Sequence, residues 1–183
     1  MENTALNSLL EECAQCTKCQ LAQTRTNLVF GAGNPFADVM FIGEGPGKNE
    51  DAQGVPFVGA AGKLLNRLLE SIGLQREDVY IANILKCRPP KNRDPKPDEI
   101  EACTPWLRQQ VCHVHPKVLV TLGNFATKFI LQTDTGITKL RGKVHETGPF
   151  KVLPTFHPAA AIYNSANVSA LEEDFKLLKE LLS

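Results

Sequence analysis

The stretch DVMFIGEGPG (residues 38–47) joins a short apolar run to a glycine-rich turn that contains one carboxylate. The apolar run is continuous, as expected of a strand that is covered on both faces. The turn matches neither G-x-G-x-x-G nor a P-loop, Pro46 lacks a backbone N–H, and Glu44 would repel a phosphate. It is therefore either a tight structural turn or the floor of a pocket for a neutral ligand.

Strand-like runs and helical patterns alternate along the rest of the chain. Three more short apolar runs are VYIANIL (79–85), KVLVTLG (117–123) and KVLPTFH (151–157). Amphipathic helical patterns cover residues 3–12, 59–74, 96–112, 124–132 and 169–183. This alternation predicts an α/β fold with a parallel sheet, whose ligands bind beyond the carboxyl ends of the strands. Pro105 is predicted to interrupt or kink its helix.

Length and charge set further bounds on the chain. The 183 residues predict one domain over 1–183, and the formal net charge of zero means that any anion site is a local patch. No apolar run is long enough to span a bilayer. The N-terminus MENTALNSLLEECAQC has no basic segment of the kind that begins a signal peptide, so we expect a cytoplasmic location.

Six cysteines are present, namely Cys13, Cys16, Cys19, Cys87, Cys103 and Cys112. In a reducing cytosol metal ligation explains such a set better than disulfides do. Small buried cysteines are the alternative, and that alternative suits Cys112. It suits Cys13 and Cys16 poorly, because CAQCTKCQ is polar and predicts exposure.

Two polar residues stand at predicted strand ends. Asn83 lies near the end of the second strand, where its amide could cap the sheet or pair with a heterocycle as both donor and acceptor. His157 follows the fourth strand and precedes Pro158, which favours extended backbone and aims the ring at the rim that holds Glu44 and Asn83. A basic stretch follows the second strand and contains Lys86, Arg88, Lys91, Arg93 and Lys96. Such a run is usually a solvated loop, but its prolines stiffen it, which suits a phosphate clamp.

Three motifs in this order resemble one protein family. They are GEGPGKNEDAQGVPFVGAAG (43–62), NILKCRPPKNRDP (83–95) and HPAAA (157–161), with Cys13-x-x-Cys16 upstream. Together they resemble the iron–sulfur-containing, family 4 uracil-DNA glycosylases. The resemblance implies a three-layer α/β/α sandwich around a four-stranded parallel sheet. It also implies a DNA repair enzyme that flips uracil out of DNA and hydrolyses its N-glycosidic bond, leaving an abasic site.

The resemblance further implies a [4Fe–4S] cluster held by Cys13, Cys16, Cys87 and Cys103. A Cys-x-x-Cys pair with two distant cysteines can supply four thiolates. A zinc ion with four thiolates is the physical rival, and Cys19 could replace one of the proposed ligands. The cluster would hold the N-terminal segment against the basic loop.

The resemblance also implies roles at the site. Phe57 would stack on uracil, Asn83 would read its N3–H and O4 edge, and His157 would donate to O2. Glu44 would position the attacking water or stabilise the sugar cation. Glu50 would exclude the methyl group of thymine, and Gly45 would also contact the substrate.

DNA contacts are implied by two other segments. Arg88, Lys91 and Arg93 would bind backbone phosphates. Family members commonly carry a bulky Leu and an Arg after the His-Pro pair, in a loop that enters the DNA. In this chain the loop is expected to be HPAAAIYN, so Ile162 and Tyr163 are the residues that could wedge into DNA.

Other functions stay open at this point. The chief alternative is a non-catalytic nucleic-acid or nucleotide-binding module with a structural four-cysteine metal site. Others are a glycosylase fragment serving a phage or polymerase pathway, and a related enzyme that links covalently to DNA, although the basic loop lacks the insertion with a nucleophilic His that the latter carries. The expected partner is uracil-containing DNA, single- or double-stranded, with a sliding clamp as a further candidate. We expect a monomer with no membrane association.

Overall fold

The computed structural model describes residues 2–183, and a mixed β-sheet forms the middle layer of this part of the chain. Its strands are β1 (Ala32–Gly33), β2 (Val39–Gly43), β3 (Tyr80–Asn83), β4 (Val118–Leu122), β5 (His145–Thr147) and β6 (Phe150–Thr155). Their spatial order is β1-β3-β2-β4-β6-β5. The central strands β3, β2, β4 and β6 are parallel, and the short edge strands β1 and β5 are antiparallel to their neighbours.

Helices cover both faces of the sheet. They are α1 (Thr4–Ala14), α2 (Leu21–Thr24), α3 (Lys48–Gln53), α4 (Ala60–Ser71), α5 (Pro97–Val114), α6 (Gly123–Leu131), α7 (Ile137–Leu140), α8 (Pro158–Tyr163) and α9 (Ala166–Leu182). Single 3₁₀ turns occupy Arg76–Asp78 and Pro90–Asn92. None of the helices in residues 2–183 is both long and apolar enough to cross a membrane.

The apolar runs are continuous because successive side chains of a strand point to opposite faces of the sheet, and both faces are covered. In β2, Met40 and Ile42 pack into one core, with side chains of α1, α5 and α6. Val39 and Phe41 point the opposite way, into a second core beneath α4 and α9. Successive side chains of a strand face opposite sides, so a sheet with helices on both faces needs apolar residues at every position.

The predicted α/β/α sandwich is therefore confirmed, with the four parallel strands at its centre. The edge strands β1 and β5 were not predicted, because two or three residues are too few to show a pattern. The predicted interruption at Pro105 is wrong, since α5 runs unbroken from Pro97 to Val114. The alternative, a kink at Pro105, stays a prediction. Pro105 and Glu101 both lie on the exposed side, where water can reach the carbonyl that the proline leaves without a helical partner.

The strand register brings the carboxyl ends of four strands to one edge of the sheet. Gly43 pairs with Asn83 at the ends of β2 and β3, and Leu122 pairs with Thr155 at the ends of β4 and β6. The residue after each end therefore lies at that edge. This is the place where open α/β sheets bind ligands.

A buried ion pair attaches α9 to the sheet. Asp174, which is 2% exposed, accepts from both Nη2 (2.6 Å) and Nε (3.1 Å) of Arg141. The Thr155 hydroxyl at the end of β6 donates to the same carboxylate at 2.6 Å. Three segments of the chain thus meet at the carboxylate of Asp174, and one of them, at Thr155, lies two residues before His157.

We expect Asp174→Ala to lower the free energy of unfolding by about 3 kcal/mol, because it leaves the Arg141 charge without its buried partner. Glu173→Ala is the matched control, since Glu173 meets the same arginine at 3.3 Å but is exposed. The control should cost under about 1 kcal/mol. Urea unfolding measures both variants, and equal losses would contradict the distinction between the two carboxylates.

Candidate active site

A cavity of about 430 Å³ opens at the carboxyl edge of the sheet. Its walls include Glu44, Glu50, Phe57, Asn83 and His157, which come from five separate segments of the chain. Gly45 of the glycine-rich turn and Arg93 of the basic loop also line it. The structure therefore brings together the residues that the sequence assigned to catalysis and base binding.

The inner end of the cavity depends on a glycine. A Cβ at Gly43 would lie 2.3 Å from Oδ1 of Asn83 and 2.9 Å from the ring of Phe57. Only a residue without a side chain lets the amide and the ring approach the strand end so closely. Asn83 is 2% exposed, and its Oδ1 is buried with no hydrogen-bond partner among the described residues.

Phe57 stands opposite His157. Their ring centroids are 5.4 Å apart and their planes are inclined by 27°. Phe57 is 6% exposed and has a φ of 53°, in the left-handed region that residues with side chains seldom adopt. Its carbonyl lies where a Cβ of Gly62 would be, at 1.8 Å, so this close approach also requires a glycine.

A backbone hydrogen bond fixes the tautomer of His157. The N–H of Ala159 donates to Nδ1 at 3.1 Å, so the neutral ring carries its proton on Nε2. Burial lowers the pKa of His157 to about 4, and Glu50 opposes this shift only in part. The imidazole is therefore neutral at physiological pH and offers one N–H donor.

The two carboxylates of the cavity differ in their surroundings. Burial, with the charge of Asp94 adding to it, raises the pKa of Glu44 above its usual range. Glu50 accepts from the amides of Val58 and Gly59 at 3.2 and 3.4 Å through one oxygen. Glu44 is thus available to a ligand, whereas Glu50 also supports the turn that carries Phe57.

The basic stretch is less uniform than its sequence indicates. Arg93 forms a bidentate pair with Glu99 at 2.6 and 3.0 Å, and Arg88 donates to Asn92 at 2.7 Å. Lys91 is exposed, whereas Lys86 is 1% exposed and donates to Gln110 and to the carbonyl of Asn83. Including Lys86 in a phosphate clamp was therefore wrong, because tertiary packing buries it.

The segment after His157 is helical rather than a loop. The His157 ring caps α8, whose residues Ile162 and Tyr163 are 47% and 91% exposed. Side chains of this size and exposure are what a DNA wedge requires. The proposed wedge residues thus project from the helix that begins at the cavity.

A second, smaller pocket gathers five of the cysteines. Cys13, Cys16, Cys19, Cys87 and Cys103 all line it. Arg25 donates to Sγ of Cys87 at 3.2 Å, and the amide of Lys86 donates to Sγ of Cys103 at 3.4 Å. Within residues 2–183, no three or more His, Cys, Asp or Glu side chains form a group that could hold a single metal ion.

Burial of individual cysteines differs from the sequence prediction. Cys13 is fully buried, although its polar neighbours predicted exposure, and Cys112 is exposed, although it was expected to be buried. Helix α1 places Cys13 in the core with Leu6 and Leu9, and the polar residues adjacent to Cys13 in the sequence do not indicate this burial. Burial raises the pKa of Cys13 to about 12 and that of Cys103 to about 11.

Comparison with known proteins identifies the family. Residues 30–182 match the uracil DNA glycosylase superfamily. The chain is 50% identical to the type-4 uracil-DNA glycosylase of Sulfurisphaera tokodaii, over 97% of this chain and 84% of that protein. It is 48% identical to that of Archaeoglobus fulgidus, over 97% and 93% of the two chains, and 47% identical to that of Thermotoga maritima, over 86% and 83%.

The chain belongs to the type-4 uracil-DNA glycosylase family. This confirms the resemblance that the three motifs indicated. Three features of the glycosylase site had escaped the sequence reasoning, namely the need for glycine at Gly43, the close approach at Gly62 and the contacts of Arg76. Gly43 and Gly62 are the first and last glycines of the motif at 43–62, where nothing in the sequence distinguishes them from its other glycines. Arg76 has no local signal, because it contacts Phe57 from 19 residues away.

We expect His157 to titrate near pH 4, with the proton of the neutral ring on Nε2. The unfolded chain takes up this proton near pH 6.5, so the free energy of unfolding should fall as the pH is lowered from about 6.5 to 4. Nitrogen-15 NMR of the histidine rings measures both the titration and the tautomer. A midpoint at the ordinary value would contradict the burial of this ring.

Proposed function

We propose that this chain excises uracil from DNA by hydrolysing the N-glycosidic bond, with the cavity holding the extruded base. Asn83 carries this proposal, because it lines the cavity and its buried Oδ1 has no hydrogen-bond partner among the described residues. A buried acceptor left unpaired costs about 1–3 kcal/mol, so a ligand that donates to it binds favourably. Uracil supplies such a donor at N3.

Base selection follows from the same amide. Oδ1 of Asn83 accepts from N3–H of uracil while Nδ2 donates to O4, and Phe57 stacks on the ring. Cytosine has an acceptor at N3 and a donor at C4, which reverses both hydrogen bonds. The wrong base therefore leaves polar groups buried and unpaired.

Bond cleavage places negative charge on the leaving base and positive charge on the sugar. The bond between C1′ and N1 breaks with its electrons moving to the uracil ring, where Nε2–H of His157 donates to O2. A water attacks C1′ and gives its proton to Glu44, whose raised pKa makes it a better base near neutral pH. The uracil anion then takes up a proton from solvent and Glu44 loses its proton to solvent, so the products are uracil and an abasic site.

The neutrality of His157 suits this role. A neutral donor stabilises the uracil anion without first forming an ion pair with Glu50 in the free enzyme. The donor is fixed in place by Ala159, so little reorganisation is needed as charge develops. Preorganised donors of this kind contribute roughly 3–4 kcal/mol to transition-state stabilisation.

The cysteine pocket is the proposed site of a [4Fe–4S] cluster, with Cys13, Cys16, Cys87 and Cys103 as ligands. Hydrogen bonds to sulfur and the nearby cations Arg25 and Lys86 favour an anionic thiolate group, which burial alone disfavours. All four proposed ligands are among the five cysteines that line this one pocket. The group would supply a cross-link between α1, the segment after β3 and α5.

Other assignments stay predictions of ours. Glu50 and Gly45 are proposed substrate contacts, Arg88, Lys91 and Arg93 proposed phosphate contacts, and Ile162 and Tyr163 proposed wedges. Single-domain organisation, the monomeric state, the cytoplasmic location and a sliding-clamp partner have the same standing. A non-catalytic nucleic-acid-binding module with a four-cysteine metal site is the outcome to expect if no base is released.

We expect His157→Ala to slow single-turnover uracil release by about 100-fold or more with little loss of DNA binding, because His157 acts on charge that appears only as the bond breaks. His113→Ala is the control, since His113 does not line the cavity. Alkali cleavage of a uracil-containing oligonucleotide measures the rate. If His157→Ala releases uracil at the parent rate, the cavity is not the place where the bond is cleaved.

Asn83→Asp should also slow uracil release, and it should narrow the preference for uracil over cytosine. A protonated carboxyl can donate to N3 of cytosine while its other oxygen accepts from the amino group. Asn34→Asp adds the same charge away from the cavity and keeps the oxygen that accepts from Phe36. The two substrates are oligonucleotides that differ in that base alone, and equal selectivity in both variants would contradict the assigned role.

The anaerobically purified protein should hold about four irons per chain and show broad visible absorption. Cys87→Ser and Cys103→Ser should bleach it, whereas Cys112→Ser should leave the spectrum unchanged, because Cys112 is exposed and does not line the pocket. Cys19→Ser tests the remaining cysteine of the pocket. If Cys19→Ser bleaches the protein and Cys16→Ser does not, Cys19 is a ligand in place of Cys16. Stoichiometric zinc without iron would exclude the cluster.

A further inference from the structure

The turn that carries Phe57 is held by Arg76, which stands in the 3₁₀ turn before β3. Its Nη1 donates to the carbonyl of Phe57 at 2.8 Å, and its Nη2 donates to the carbonyl of Pro56. Nη1 also donates to Oδ1 of Asn66 on α4 at 3.2 Å, which fixes the guanidinium plane. One side chain thus occupies two successive backbone carbonyls.

A carboxylate holds the other side of the same turn. Glu50 accepts from the amides of Val58 and Gly59, the two residues that follow Phe57. A cation therefore binds the carbonyls and an anion binds the amides on either side of Phe57. The φ of 53° at Phe57 lies between these two sets of contacts, in a conformation that a residue with a side chain adopts only when its surroundings enforce it.

Arg76 donates to two backbone carbonyls and to one side-chain amide. Within residues 2–183 it forms no ion pair, unlike Arg93 and Arg141. A planar guanidinium with several fixed donors can hold two carbonyls and an amide at once, which a lysine ammonium cannot do with the same geometry. Arg76 is half-buried, and this burial lowers the pKa of its guanidinium, so the contacts with the turn form at some cost in desolvation.

We propose that Arg76 is a positioning residue for base binding, which acts by holding the backbone of Pro56 and Phe57 so that the Phe57 ring faces the cavity. This inference rests on the proposed function, because it assigns Phe57 to stacking on the extruded base. Arg76 does not itself line the cavity. Its effect on substrate therefore passes through Phe57.

The test uses Arg76→Met, which keeps much of the apolar side chain and removes all the donors. The substrate concentration at half-maximal single-turnover rate should rise about tenfold, and inhibition by free uracil should weaken similarly, because base–aromatic stacking is lost. Partial unfolding would lower the maximal rate but would not move either of these concentrations. Arg67→Met is the matched control, since Arg67 is an exposed arginine of α4 outside the cavity.

A double-mutant cycle decides whether Arg76 acts through Phe57. In the background of Phe57→Ala, Arg76→Met should change the half-maximal concentration by less than twofold, because the ring that it positions is already gone. A full tenfold effect in that background would overturn the proposal. So would a parent-like value for Arg76→Met alone.

Two further results keep the test decisive. If Arg76→Met does not fold, Arg76→Lys replaces it, with an expected rise of about threefold because one carbonyl contact survives; a parent-like value would overturn the proposal. If the parent protein itself releases no uracil, the proposed function fails. If the parent is active and both Arg76 variants match it, only the positioning role fails.

Discussion

The pairing of Gly43 with Asn83 across β2 and β3 is the constraint on which the cavity depends. The register puts the glycine directly opposite the amide, and its missing side chain leaves the space that Asn83 and Phe57 share. A register shift of one residue would turn every side chain of the strand to the other face. The two apolar cores resist that shift, because both depend on the alternation of Val39, Met40 and their neighbours.

Charged groups around this cavity bind backbone more often than they bind each other. Arg76 donates to two backbone carbonyls, Glu50 accepts from two backbone amides, and Lys86 donates to the carbonyl of Asn83. Such contacts fix the path of irregular segments, which have no ladder of hydrogen bonds to define them. The site is thus built from turns whose conformation is set by side chains on the regular elements.

The sequence predicted which residues would lie together at the cavity better than it predicted their geometry. Glu44, Asn83 and His157 could be placed together because each stands at the end of a strand, and parallel strands end at the same edge. The left-handed backbone of Phe57 and the burial of Lys86 could not be predicted. Both depend on contacts with residues far away in the chain, such as Arg76 and Gln110.

The helix α8 was missed for a different reason. HPAAAIYN was expected to be a loop because a motif that resembles a DNA-binding loop suggested it. The three consecutive alanines are strong helix formers, and His157 supplies the cap that a six-residue helix needs. The sequence therefore showed helix propensity in this segment, but the resemblance to a DNA-binding loop was given more weight in predicting its structure.

Helix α8 also holds His157 and Tyr163 at a fixed distance from each other. His157 stands at its first turn and Tyr163 at its last, so the two are separated by roughly 9 Å along the axis at 1.5 Å per residue. Inserting or deleting one alanine would change that separation only slightly, but it would rotate Tyr163 by about 100° around the axis. The number of residues between His157 and Tyr163 thus sets the direction in which Tyr163 points. The alanines between them supply that number of residues with small side chains, which leave space beside the cavity.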